Sequence, residues 1–198
     1  MSELATAVPQ PPPSWTLPYR GKVAMAGLII AESAIFTIFV VAYIFYIGKS
    51  LSGPTPREVL EVPIFFTICL LSSSITIHFA EKFLEHGNRG GFLGAWALTV
   101  LLGTLFLYGT GREWYHLIYD KGLTISTNLF GTTYYSLVGL HAFHVTAGLI
   151  MLSIVLLFGL AGRVGLEHAV RIQVLSMYWH FVDVVWIVVF TVVYIVGR

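Results

Sequence analysis

The sequence predicts an all-α membrane protein, a bundle of five transmembrane helices. Three observations predict it. Of 198 residues, 57% are hydrophobic and only 11% are charged. A soluble domain carries about 25% charged residues to cover its surface. Five long apolar windows follow one another, and each is long enough for the roughly 20 residues that cross about 30 Å of hydrocarbon. The charged residues gather between the windows rather than within them. Continuous apolar runs of this length select helices over barrel strands, which alternate over about ten residues.

The elements come in this order. Residues 1–20 form a tail with Pro9, Pro11, Pro12, Pro13 and Pro18; proline removes backbone donors and blocks helix, so an extended segment is expected. Residues 21–198 form the membrane domain. Its windows are Val23 to Gly48, Val62 to Ala80, Gly90 to Gly111, Gly131 to about Leu160, and Ile172 to Gly197. The first is too long for a signal peptide and lacks a cationic lead, so it is expected to be retained. Charged groups separate the windows: Lys49 and Arg57, then Glu81 to Arg89, Arg112 to Lys121, and Arg163 to Arg171. Gly90-Gly91 is expected in a loop. Trp15, Trp96, Trp114, Tyr115 and Tyr119 lie near span ends, where aromatic rings anchor at the interface.

With a formal net charge of +1 and no basic cluster, nucleic acid is not an expected partner. The one cysteine, Cys69, has hydrophobic neighbours and is expected as a buried, inert thiol. The basic residues divide six to five between the two sides, so the positive-inside rule does not choose an orientation.

Two carboxyl groups fall well inside windows. Glu32 lies roughly 13 Å beyond Val23, and Asp183 roughly 18 Å beyond Arg171, at 1.5 Å per residue. Each costs about 2.5–3.5 kcal/mol on insertion scales, which a proton or a buried donor must offset. Histidines are the candidate partners: His78, His141, His144 and His180. His141 and His144 are three apart, as are His180 and Asp183, so each pair shares one helix face. Three readings stand side by side: hydrogen bonds between helices, a part in proton movement, or ligation of haem or metal. No C-x-x-C-H motif or di-iron carboxylate pattern is present. Ser72, Ser73, Ser74 and Thr76 in the second window, and Thr132, Thr133, Ser136, Gly139, Ala147 and Gly148 in the fourth, read as close-packing positions. No phosphate-loop, dinucleotide or H-E-x-x-H motif occurs.

The run Tyr178-Trp179-His180-Phe181-Val182-Asp183-Val184-Val185-Trp186 resembles the signature of subunit III of haem–copper terminal oxidases, the cytochrome c and quinol oxidases. Leu60-Glu61-Val62-Pro63, Glu113-Trp114-Tyr115, Ser126 to Thr133 and Gly139-Leu140-His141-Ala142-Phe143-His144-Val145 are similar to the family's segments in the same order. The resemblance spans about Lys22 to Gly197. Many members have seven helices; this chain resembles the short bacterial form with five, so the lipid cleft beside the first two helices does not carry over.

The resemblance implies a non-catalytic subunit of a proton-pumping oxygen reductase. It implies no catalytic residue and no metal in this chain, with haem and copper in the partner subunits and phospholipid as a possible ligand. Subunit I, subunit II and small subunits are the expected partners, in a bacterial plasma membrane with a cytoplasmic amino terminus. It implies a buried pair of Glu32 and His144. His141, Tyr178, Trp179, His180, Asp183 and Trp186 become signature and subunit-contact candidates, with Asp183 pairing locally to His180. A component associated with nitric oxide reductase, a proton-coupled transporter using Glu32 and Asp183, and a haem-binding cytochrome are the alternatives.

Overall fold

The computed structural model describes residues 19–50 and 53–197. Residues 1–18 of the expected tail, with Trp15, and Arg198 lie outside the described residues, and Arg20, expected in the tail, already belongs to α1. Among the described residues there are helices and connecting turns but no strand: α1 (Arg20–Tyr46), the single turn α2 (Pro56–Val59), α3 (Ile64–Glu85), α4 (Arg89–Tyr119), α5 (Leu129–Leu160), a short 3-10 turn, and α6 (Ala169–Phe190). A π-helical segment, Thr191–Val196, extends α6. Among the described residues five helices are long and apolar enough to cross a membrane, the fifth running Leu166–Val196.

The side chains that point outward explain the composition. Ile30, Ile38, Phe65, Phe143 and Leu157 are each about two-thirds exposed. A water-soluble protein rarely exposes large contiguous apolar patches; lipid solvates these side chains. Inside, α3 packs along α4, α6 fits against α3 and α5, and α1 lies on α5 and α6.

Both ends are tied by specific bonds. At one end the Arg89 guanidinium donates to the Gly159 carbonyl at 2.9 Å, and Gln173 donates to Glu85 at 2.9 Å. These join the α3–α4 turn to the α5–α6 turn, at the end where α1 begins. At the other end Phe130 N–H donates to Ser50 Oγ at 3.0 Å, and Asn128 Nδ2 to the Pro54 carbonyl at 3.3 Å.

The helices outrun the apolar windows. α3 continues through Glu81 and Lys82 to Glu85 and stops before Gly87, whose φ of 72° breaks the helix. Gly90-Gly91 is not a loop: Asn88 accepts from Gly91 N–H at 2.9 Å, and both glycines sit in the first turn of α4. The charged stretch from Arg112 is helical as far as Tyr119, because no breaker intervenes before Gly122. Trp96 is not interfacial. It is fully buried, and its indole donates to the Leu152 carbonyl at 2.9 Å, which satisfies its one polar atom inside the bundle. Trp114 is half-buried against Tyr135, whereas Tyr115 and Tyr119 are exposed and stack on one another. Cys69 is buried.

Candidate functional site

Glu32 on α1 and His144 on α5 meet at 3.2 Å, Oε2 to Nε2. Their side chains are 23% and 8% exposed, so the contact sits at the edge of the bundle with the histidine inside. The other ring nitrogen fixes where one hydrogen sits. His144 Nδ1 lies 2.8 Å from the Leu140 carbonyl, and a carbonyl only accepts, so Nδ1 carries hydrogen. Nε2 then either accepts from a protonated Glu32 or, as imidazolium, donates to a carboxylate. Phe36 closes over His144 with ring centres 5.0 Å apart, and Tyr178 Oη donates to the His144 carbonyl at 3.1 Å.

His141, one turn away, behaves differently. It is 1% exposed and stacks on Trp186 with centroids 4.9 Å apart, with Phe106 edge-on at 5.9 Å. Neither ring nitrogen has a hydrogen-bond partner among the described residues. It is a packed aromatic core residue.

The α6 signature faces α3. Trp179 Nε1 donates to Ser73 Oγ at 2.8 Å, and Trp186 Nε1 to Thr67 Oγ1 at 3.2 Å. Ser74 Oγ donates to Asp183 Oδ2 and also lies 3.0 Å from His180 Nδ1. Asp183 and His180 are thus joined through a hydroxyl on another helix rather than as a local pair, because Ser74 reaches between them. Glycines make room for the largest ring: a Cβ at Gly103 or Gly148 would come within 2.9 Å of Trp179. His141, Tyr178, Trp179, Asp183 and Trp186 are buried in this chain, and His180 is half-buried. His78 is half exposed and 4.0 Å from Glu81.

A second carboxyl cluster lies near the opposite end. Tyr194, in the π-helical segment, donates to Glu113 at 2.8 Å to Oε1 and 3.0 Å to Oε2, with Tyr134 Oη 3.5 Å from Tyr194. Sequence reasoning missed this site by ending the third helix at Gly111. The apolar residues Leu117 and Ile118, six and seven positions on, signal that the helix continues.

Among the described residues no three His, Cys, Asp or Glu side chains converge as metal ligands. A groove of about 610 Å³ between α1 and α6 is lined by apolar side chains together with Ser33, Thr37 and His180.

Comparison with known proteins agrees with this architecture. The family described as cytochrome c oxidase subunit III matches residues 22–198. The cytochrome c oxidase subunit 3 of Bacillus subtilis is 31% identical over 196 residues, which cover 98% of this chain and 95% of the relative. That of Synechocystis is 36% identical over 171 residues, covering 84% and 72%. The cytochrome bo(3) ubiquinol oxidase subunit 3 of Pseudomonas putida is 34% identical over 171 residues, covering 85% and 82%. The chain belongs to the cytochrome c oxidase subunit III family, the third subunits of haem–copper oxidases.

Proposed function

We propose that this chain is a non-catalytic third subunit of a proton-pumping oxygen reductase. It holds the catalytic subunit in place and supports proton uptake, while haem and copper in subunits I and II carry the redox chemistry. The plasma membrane of a bacterium, with the amino terminus cytoplasmic, is the setting that the five-helix form suggests. Phospholipid is a fitting occupant of the apolar faces.

The observation that carries the reading is the contact of Glu32 with His144, 3.2 Å apart. Intramembrane carboxyl groups are expensive and mark ion or proton pathways more often than packing defects. A carboxyl and an imidazole that share one proton can take up or release it with little rearrangement. The pair's position at the bundle edge leaves it reachable from a neighbouring subunit or from lipid.

Affinity purification in mild detergent tests the proposal. The expected result is co-purification with a haem- and copper-containing subunit I and with oxygen consumption. Recovery of this chain alone, or with a nitric oxide reductase, would overturn it.

A further inference from the structure

The seam between α3 and α6 holds polar groups that the pair at Glu32 does not use. They run inward from the end where α1 begins. Gln173 bonds Glu85 at that end. His78 and Glu81 follow on α3, then His180 on α6, then Ser74 and Asp183. Ser74, His78 and Glu81 fall at i, i+4 and i+7, one face of a helix. Asp183 is ten residues beyond Gln173, roughly 15 Å deeper along α6.

We propose that Ser74, His180 and Asp183 form a proton-exchanging site, fed along this seam, in which Asp183 takes up the proton. The inference goes beyond the proposed function, which places proton support at Glu32 and His144.

Hydrogen-bond accounting carries it. A serine hydroxyl has one hydrogen and two lone pairs. Ser74 Oγ touches both His180 Nδ1, at 3.0 Å, and Asp183 Oδ2. If it donates to the carboxylate, it must accept from Nδ1–H. If Asp183 is protonated and donates to Ser74, the hydroxyl donates to a bare Nδ1. The same heavy-atom geometry serves both arrangements. They interconvert when the Nδ1 proton passes to Ser74 Oγ and the hydroxyl's own proton passes to Oδ2. One N–H and one O–H break, two O–H bonds form, and no electron moves. Imidazolium and carboxylate become neutral imidazole and carboxylic acid. The proton enters at His180 Nε2 from the polar groups of the seam, where the ring is half-buried.

The surroundings supply few competing charges. Glu81 and His78 on α3 are the electrostatic neighbours of His180. The polar residues that α1 brings to the groove are Ser33 and Thr37, and both donate to carbonyls of their own helix at 2.7 Å. α5 turns His144 to Glu32 and His141 to Trp186.

The test is infrared difference spectroscopy of the intact assembly as pH is stepped, in light and heavy water. A carboxyl carbonyl band that titrates, shifts on deuteration and disappears in Asp183→Asn supports the site. Ser74→Ala should displace that band, and Glu81→Gln should slow its deuteration; both keep Asp183 in place if Asp183→Asn does not assemble. An Asp183 carboxyl that never changes protonation, or whose band ignores Ser74→Ala, overturns the proposal. Carbodiimide reactivity of Glu32 and the identity of co-purifying subunits are read separately, so failure of the oxidase reading shows itself independently.

Discussion

Glu32 and His144 lie 112 residues apart in the chain and 3.2 Å apart in space. A hydrophobic carbodiimide reacts with a protonated carboxyl that lipid can reach. Glu32, partly exposed at the bundle edge, is therefore the expected target, and Asp183, 4% exposed, is not. Mass spectrometry of labelled assembly should find the adduct on Glu32 and lose it in Glu32→Gln, while electron transfer in the partner subunits continues. An adduct confined to Asp183 would refute the assignment.

Trp179 is clamped between two glycines and held by its bond to Ser73, so its ring cannot retreat. Gly148→Ala brings a Cβ to 2.8 Å from that ring and should destabilise the chain by about 1–3 kcal/mol. Gly94→Ala meets nothing within 4 Å and is expected to be neutral or to stabilise by up to about 1 kcal/mol. Thermal unfolding in detergent separates the two; equal effects would show that Trp179 is loosely packed.

All five spans were legible in the sequence because the bilayer filters residues by polarity over lengths that windows detect. Their ends were less so. Glu81, Arg112 and Glu113 interrupt an apolar run without interrupting a helix, since helices stop where the backbone is broken, as at Gly87 and Gly122, and not where polarity changes. The chemical character of Asp183 and His180 was legible too, but their junction at Ser74 was not. Ser74 is 109 residues from Asp183, and only the packing of α3 on α6 selects it over Ser72 and Ser73. Trp96 misled for a related reason: its polar atom found a backbone carbonyl inside, a partner that no sequence pattern advertises.

Asp183 lies inside this chain, so its influence on assembly runs through the α3–α6 seam. Asp183→Leu removes one of the two partners of Ser74 and leaves its hydroxyl with His180 alone. Interhelical hydrogen bonds in membranes average about 0.6 kcal/mol, with values up to about 1.7. The subunit should be retained less well after detergent purification, measured as its stoichiometry to the catalytic subunit. Unchanged stoichiometry would show that the seam does not govern docking.

One titration outside the membrane has a defined sign. The Thr55 N–H donates to Glu58 Oε2 at 3.0 Å at the start of α2, and bonds from Thr55 hold the Glu58 carboxyl below its ordinary range. A depressed folded value means that the contribution is complete above the unfolded glutamate value and is lost as pH falls through the folded one. Protection of Glu58 and Val59 from hydrogen exchange, corrected for the intrinsic rate at each pH, should fall on acidification, and Glu58→Gln should flatten that dependence. Identical profiles for the two proteins would remove the capping bond from the account.

Glu113 and Tyr194 test whether the π-helical end of α6 has a structural purpose. Tyr194 is 3% exposed, and its hydroxyl is 2.8 and 3.0 Å from the two oxygens of one half-buried carboxyl. A hydrogen bond of this kind contributes about 0.5–1.5 kcal/mol. Tyr194→Phe should therefore destabilise by about that amount. Tyr134→Phe should cost less, because its hydroxyl is 3.5 Å from Tyr194, at the limit of a hydrogen bond. Direct coupling predicts that Tyr194→Phe combined with Glu113→Gln falls short of the sum of the single changes by about 0.5–3 kcal/mol. Strict additivity in detergent unfolding would mean that the two groups sit side by side without holding the segment in place.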